Sequence, residues 1–135
     1  MIKITINMSY MLIIKNYFKE DIELNIKVLD YIGDRATDMK QGDEIYSLII
    51  QGFKKGEKVC VDFEGLTTVL STFLNNAIGT LYKDYDSEYL NKNLQINNLC
   101  EDDMFILRRV IKRAKEFYRN ESLITGALDQ AIRSE

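Results

Sequence analysis

Residues 59–74, with the sequence VCVDFEGLTTVLSTFL, decide the fold of this chain. The first five are a short apolar run with a carboxylate near its end, a pattern typical of a central strand buried on both faces and paired in parallel. Residues 65–70 are rich in threonine and predict a loop. A helix is then predicted from Ser71, because apolar residues follow at helical spacing on one face: Leu74, Ala77, Ile78 and Leu81.

On the amino-terminal side, strict alternation of apolar and polar residues predicts a strand over residues 22–28, ending near Gly33. The period then becomes helical from Asp38 or Gly42, and the basic residues before Gly56 indicate where that helix stops. Residues 1–21 form either an N-terminal extension or an extra strand, because isoleucines alternate with polar residues near their start.

On the carboxyl-terminal side, residues 94–97 predict another strand, and a helix follows from about residues 98–101 with its apolar stripe centred on Val110. A separate amphipathic helix is predicted over residues 120–135, which would pack on the domain or pair with another copy. Strands alternating with helices predict an α/β protein, and the chain contains no linker, so residues 1–135 are read as one domain.

Composition excludes several functional classes. The net charge of −3 creates no global attraction to nucleic acid or anionic lipid, and the absence of histidine removes the commonest general base and metal ligand. The two cysteines, Cys60 and Cys100, are too few for a disulfide framework. We find neither a membrane-length apolar run nor a signal-peptide pattern, and we therefore expect a cytoplasmic protein without metal or cofactor.

The strand ending in Asp62-Phe63-Glu64-Gly65 and the helix opening with Ser71-Thr72-Phe73 together resemble the STAS-like domain family of unknown function, of the DUF4325 type. The resemblance runs from about Ile26 to Tyr118. It implies a mixed sheet of about four strands with helices packed mainly on one face. The motif carries no catalytic signature, so it implies a binding module.

The same segment is more distantly similar to anti-sigma-factor antagonists with STAS domains. These proteins bind ATPase-kinase partners and are switched by phosphorylation of a serine at the start of the equivalent helix. Ser71 matches that serine by position, and Thr72 matches the hydroxyl residue beside it. Leu70 departs from the aspartate that these antagonists usually carry.

The residues themselves allow two interpretations of Ser71. A serine at this position can serve only as the N-cap of the helix, accepting a hydrogen bond from a free backbone N–H. Alternatively it can be a switch, because a phosphate there brings nearly two negative charges to any docked surface. Asp62 and Glu64 could mark a catalytic pair, but we expect Asp62 to accept backbone hydrogen bonds and Glu64 to be solvated.

The sequence therefore predicts a non-enzymatic regulatory module that binds a protein partner, such as a histidine-kinase-like ATPase. The partner would contact five residues near the loop and helix: Asp62, Glu64, Thr67, Thr68 and Asn75. Whether the protein also forms a homodimer is left open.

The alternative function uses a strongly basic helix over residues 108–119. Its charged residues form either a solvated face or a site for nucleic acid or a phosphate-bearing ligand: Arg108, Arg109, Lys112, Arg113, Lys115 and Arg119. Nucleic acid is the less expected ligand, because few aromatic residues are interleaved with these charges.

Overall fold

The computed structural model describes Ser9 and residues 22–133. The predictions for the rest of the N-terminal segment, including the alternating isoleucines, lie outside the described residues. Along the described part, the elements are β1 (Glu23–Lys27), α1 (Val28–Ile32), β2 (Arg35–Ala36), α2 (Met39–Lys54), β3 (Lys58–Asp62), β4 (Thr68–Val69), α3 (Ser71–Ala77), a 3₁₀ helix (Gly79–Lys83), α4 (Ser87–Asn93), β5 (Leu94–Asn97) and α5 (Glu101–Arg133).

The strands form two parallel sheets, and the prediction of one mixed four-stranded sheet is wrong. In the first sheet β3 lies between β1 and β5, and in the second β2 pairs with β4. The predicted loop over residues 65–70 contains β4, because the backbone N–H of Leu70 donates to the carbonyl of Ala36 at 2.9 Å. Each pair of neighbouring strands is separated in sequence by a helical connection, which allows parallel pairing.

The two faces of the β1–β3–β5 sheet differ in polarity. Ile26, Val59 and Val61 are buried on one face, where α2 approaches closely. On the opposite face the strand residues are polar, and the buried side chain is that of Cys60. The central strand is therefore buried over three consecutive residues, as predicted, and the burial pattern agrees with helices packed mainly on one face.

Helix α2 begins where the sequence predicts, directly after Asp38. The Asp38 carboxylate accepts a hydrogen bond from the backbone N–H of Gln41 at 2.8 Å, and the Gln41 side chain accepts one from the backbone N–H of Asp38 at 3.2 Å. This reciprocal pair is a capping box, which satisfies backbone donors that the first turn leaves free.

The helix predicted from Ser71 is interrupted. Helix α3 ends at Ala77, and the chain continues as a 3₁₀ helix, where the Thr80 hydroxyl donates to the carbonyl of Asn76 at 2.6 Å. Leu74, Ala77, Ile78 and Leu81 are nevertheless all buried, as their spacing predicts.

Helix α4 was not predicted from the sequence. Asp86 caps it by accepting from the backbone N–H of Tyr89 at 2.8 Å. The Tyr89 ring packs against Phe53 at a centroid distance of 5.2 Å and stacks on Tyr85 at 4.9 Å. A polar cap and two aromatic contacts thus hold a helix of only seven residues.

Helix α5 is one continuous helix of 33 residues, so the prediction of two separate helices is wrong. Leu107, Val110 and Ala114 are buried, whereas residues 119–133 are exposed along their whole length. Gly126 lies in this exposed part and does not break the helix. Among the residues described, no helix is both long and apolar enough to cross a membrane.

Two glycine-to-alanine substitutions should change the free energy of unfolding in opposite directions, because Gly42 is packed between α2 and α3 and Gly126 is exposed on α5. A Cβ at Gly42 would lie 2.7 Å from the Phe73 carbonyl oxygen and 2.7 Å from the Asn76 Cβ, whereas a Cβ at Gly126 meets nothing within 4 Å. We expect Gly42→Ala to lower the free energy of unfolding by about 1–3 kcal/mol. Gly126→Ala should raise it by up to about 1 kcal/mol.

Urea denaturation followed by circular dichroism measures both changes. A Gly42→Ala variant as stable as the unsubstituted protein would show that α2 and α3 do not approach as closely as described.

Candidate functional site

A cleft of about 300 Å³ lies between the start of α3 and the middle of α5. Ser71 and Thr72 are both exposed on its rim. Its walls are formed by Leu70, Ser71 and Thr72 on one side and Ile106, Arg109, Val110 and Arg113 on the other. The structure therefore brings together two features that the sequence predicted separately, the hydroxyl residues and part of the basic helix.

The floor of the cleft is fixed by close packing. Val110 is 2% exposed, and a Cβ built on Gly79 would lie 3.4 Å from its Cγ1 and 3.6 Å from the Ala114 Cβ. The 3₁₀ helix therefore touches α5 directly, immediately after α3. Because interiors at this density do not deform easily, the two walls of the cleft keep their spacing.

Ser71 is not the N-cap of α3, contrary to the N-cap interpretation. The cap is Leu70, whose backbone is extended and whose carbonyl accepts from the backbone N–H of Leu74 at 3.2 Å. Leu70 is held there by the pairing of β4 with β2, which shifts the helix start by one residue. Ser71 is the first helical residue, and within the described chain its hydroxyl makes no hydrogen bond.

The basic residues of α5 do not form one uniform face. Arg109 and Arg113 line the cleft, whereas Arg108 and Lys112 are exposed outside it. The Lys115 ammonium instead lies over a tyrosine ring of the 3₁₀ helix, 5.6 Å from its centroid. The solvated-face interpretation thus fits Arg108 and Lys112, and the binding interpretation fits the pair in the cleft.

Arg109 and Arg113 carry charges that no carboxylate in the described part of the chain neutralises within ion-pair distance. The guanidinium of Arg109 lies over the Phe105 ring at 6.0 Å, which is a weak cation–π contact at an exposed site. Two unpaired arginines one helical turn apart create a local positive field beside Ser71.

A second depression, of about 340 Å³, continues the cleft along the same two helices. Asn75 lies on its α3 wall, and Arg113 borders both depressions. Of the predicted partner-contacting residues, Asn75 is therefore the one that shares a groove with Ser71 and Thr72.

Asp62 and Glu64 lie elsewhere, at the carboxyl end of β3. The Asp62 carboxylate accepts a hydrogen bond from the Asn98 side-chain amide at 2.7 Å and another from the backbone N–H of Glu64 at 2.9 Å. These two bonds, the Asn98 amide foremost, lower the pKa of Asp62 below its ordinary value. Asp62 is thus a loop-stabilising acceptor and Glu64 is exposed, as expected from the non-catalytic interpretation.

Thr67 and Thr68 help to join β4 to β2 and the residue before it. The backbone N–H of Thr67 donates to the Asp34 carbonyl at 2.8 Å, and its hydroxyl donates to the same oxygen at 3.2 Å. Thr68 belongs to β4 and pairs with Arg35. Thr67 remains exposed and available to a partner, but neither threonine lines the cleft.

The Cys60 thiol is held in its less reactive, protonated form. The Cys60 thiol is buried, and its burial, followed by the nearby carboxylates of Glu23 and Asp62, raises its pKa, which disfavours the nucleophilic thiolate. Its sulfur accepts a hydrogen bond from the Asn97 amide at 3.0 Å. Within the part of the chain that the structure describes, no three His, Cys, Asp or Glu side chains are grouped to hold a metal ion.

The hydrogen bond from Asn98 to Asp62 generates a prediction about pH. Asn98 has a φ of 61°, so Asn98→Gly removes the amide donor while keeping a backbone that glycine adopts freely. We expect the pKa of Asp62 to rise in this variant, measured by carboxyl carbon NMR. In the unsubstituted protein this bond lowers the folded-state pKa of Asp62, so its contribution to the free energy of unfolding is fully present at neutral pH. That contribution is lost as the pH falls below about 3.9, and Asn98→Gly should therefore be less stable than the unsubstituted protein at neutral pH.

An Asp62 pKa unchanged by Asn98→Gly would contradict the assignment of this bond. Glu64→Gln serves as the matched control, because only the backbone of residue 64 contacts Asp62.

Comparison with known proteins agrees with the resemblance seen in the motif. Residues 41–104 match the model of the STAS-like domain of unknown function (DUF4325). The match is narrower than the predicted span of about Ile26 to Tyr118, and it ends before Arg109 and Arg113. Searches of curated proteins and of solved structures found no match.

Proposed function

We propose that this chain is a non-enzymatic regulatory module that docks a protein partner at the cleft between α3 and α5 and is switched by phosphorylation of Ser71. The observation that carries the proposal is the exposed Ser71 and Thr72 on the rim of a cleft, inside a segment that matches a STAS-like domain. A histidine-kinase-like ATPase in the cytoplasm is the partner that the resemblance implies.

The walls of the cleft support docking of a protein surface. Leu70 is 45% exposed although it is apolar, and it lies beside the partly buried Ile106. A partner that covers both would gain about 25 cal/mol for each Å² of apolar surface removed from water. The unpaired charges of Arg109 and Arg113 would select a partner with acidic groups at the edge of its contact surface.

Phosphorylation would transfer the γ-phosphoryl group of ATP to the Ser71 hydroxyl. The Ser71 oxygen forms a bond to phosphorus, the bond from that phosphorus to the bridging oxygen of ADP breaks, and a base of the partner kinase takes the hydroxyl proton. The product carries nearly two negative charges at pH 7, which oppose burial against an acidic, partly apolar partner surface. Phosphorylation therefore releases the partner.

Capture experiments with Ser71 variants test this function. Unsubstituted protein and Ser71→Ala should retain the same specific partner from extracts of the native cell, and Ser71→Glu should retain at least about tenfold less. Ser47→Glu, which adds the same charge at an exposed position of α2, is the matched control and should bind as the unsubstituted protein does.

Mass spectrometry of the protein isolated from that cell should find a phosphoryl group on Ser71. The proposal fails if no specific partner is retained, or if Ser71→Glu and Ser47→Glu behave alike.

A second function is favoured by the exposure of four basic side chains on α5. Arg108, Arg109, Lys112 and Arg113 are all exposed on neighbouring turns, a distribution that suits phosphates of nucleic acid. Binding should then be salt-dependent, and Arg109→Glu with Arg113→Glu should abolish it in a fluorescence anisotropy titration. Absence of binding at low salt removes this alternative.

The homodimer stays a prediction. The exposed end of α5 favours it, because several large apolar side chains there contact no other part of the described chain's core: Leu123, Ile124, Leu128 and Ile132.

A further inference from the structure

We propose that the phosphoryl group on Ser71 is held within the same molecule by Arg109 and Arg113, so that phosphorylation closes the cleft. This inference rests on the proposed function in taking Ser71 as the phosphorylated residue. It adds what the modification does to the structure, and it assigns to two residues of α5 a role outside the matched family segment.

The geometry places donor and acceptor on opposite walls of one cleft. Ser71 lines the α3 wall, and Arg109 and Arg113 line the α5 wall. Because the arginines are four residues apart in a helix, their side chains leave successive turns on the same side. The space between the walls is open and has a volume of about 300 Å³, which exceeds that of a phosphoryl group.

Neither side of this arrangement is satisfied by other groups of the described chain. The Ser71 hydroxyl makes no hydrogen bond there, and neither guanidinium has a carboxylate within ion-pair distance. Among the described residues, the contact that a phosphate must compete with is therefore the weak one between Arg109 and the Phe105 ring. Other charges near the pair on the same helix are Arg108, Lys112 and Lys115, which add to the positive field, and Glu116, which follows Arg113 by three residues.

The chemistry of the two groups is complementary. A phosphoserine offers three acceptor oxygens and nearly two negative charges. A guanidinium is planar, stays charged, and donates two parallel hydrogen bonds to a phosphate. Two guanidiniums can therefore satisfy a phosphate that a single exposed lysine would only attract.

The packing behind the arginines holds the α5 wall in place opposite Ser71. Val110 and Ala114 are buried against the 3₁₀ helix, so the α5 wall cannot slide along α3. Capture would use both arginines as internal partners of the phosphate. The phosphate would then fill the cleft and neutralise the two arginines that a docking partner would otherwise contact. The partner is therefore released because its site is occupied, as well as because the phosphate repels its acidic groups.

Phosphorus NMR on the full chain with phosphoserine incorporated at position 71 tests the capture. Free phosphoserine titrates near pH 6, and two adjacent guanidiniums favour the dianion, so the apparent phosphate pKa should fall by about one unit. In Arg109→Gln with Arg113→Gln it should return to about 6.

The matched control is Arg108→Gln with Lys112→Gln, which removes two positive charges from neighbouring exposed positions of α5 outside the cleft. This variant should keep most of the shift. Circular dichroism of each unphosphorylated chain establishes that the four substituted positions, all exposed, leave the fold intact.

Two outcomes overturn the capture: one phosphate pKa common to all three chains, or a loss of the shift in the control as large as in the Arg109/Arg113 variant. The test needs neither kinase nor partner. If no partner is retained from cell extracts, the NMR titration can still be interpreted. If the titration shows no shift that depends on Arg109 and Arg113, the prediction that Ser71→Glu releases the partner is unaffected.

Discussion

The close approach of α2 to α3 at Gly42 is the constraint on which the rest of the site depends. A Cβ at this position would lie 2.7 Å from the backbone oxygen of Phe73, so only glycine lets the two helices reach this separation. The contact is reinforced by the Asn76 amide, which donates to the Asp43 carboxylate at 2.9 Å. Helix α3 is thus held against α2 on one side and faces α5 on the other.

The cleft exists because α3 is short and the segment that follows it, rather than its first turn, contacts α5. Helix α3 ends at Ala77, and the 3₁₀ helix that follows places Gly79 against Val110 of α5. Contact between the two chain segments is therefore made behind α3 and not at its start. The start of α3 stays separated from α5, and Ser71 faces open space there.

Local periodicity predicted the elements that depend on local pattern. The strand over residues 94–97, the buried run of β3 and a helix starting at Asp38 or Gly42 were all predicted, because alternation, apolar runs and helical spacing act within a few residues. The β2–β4 pairing and the joining of Ser71 to Arg109 were not predicted, since both depend on contacts between segments about 33 and 38 residues apart. The spacing of Arg109 and Arg113 beside Val110 was the only local signal of the cleft.

The net charge of the chain is a poor guide to what this cleft attracts. The whole protein carries −3, yet the cleft presents two arginines without a carboxylate neighbour in the described chain. At physiological ionic strength, interactions between exposed charges decay over about 8 Å, so an approaching group responds to the arginines and scarcely to the distant acidic residues. A phosphate attached at Ser71 is kept near the arginines by its covalent bond, whereas an acidic group of a partner comes within the screening distance only when the partner docks. The intramolecular group therefore competes at a high effective concentration, which is why a cleft suited to a docking partner is also suited to being closed from within.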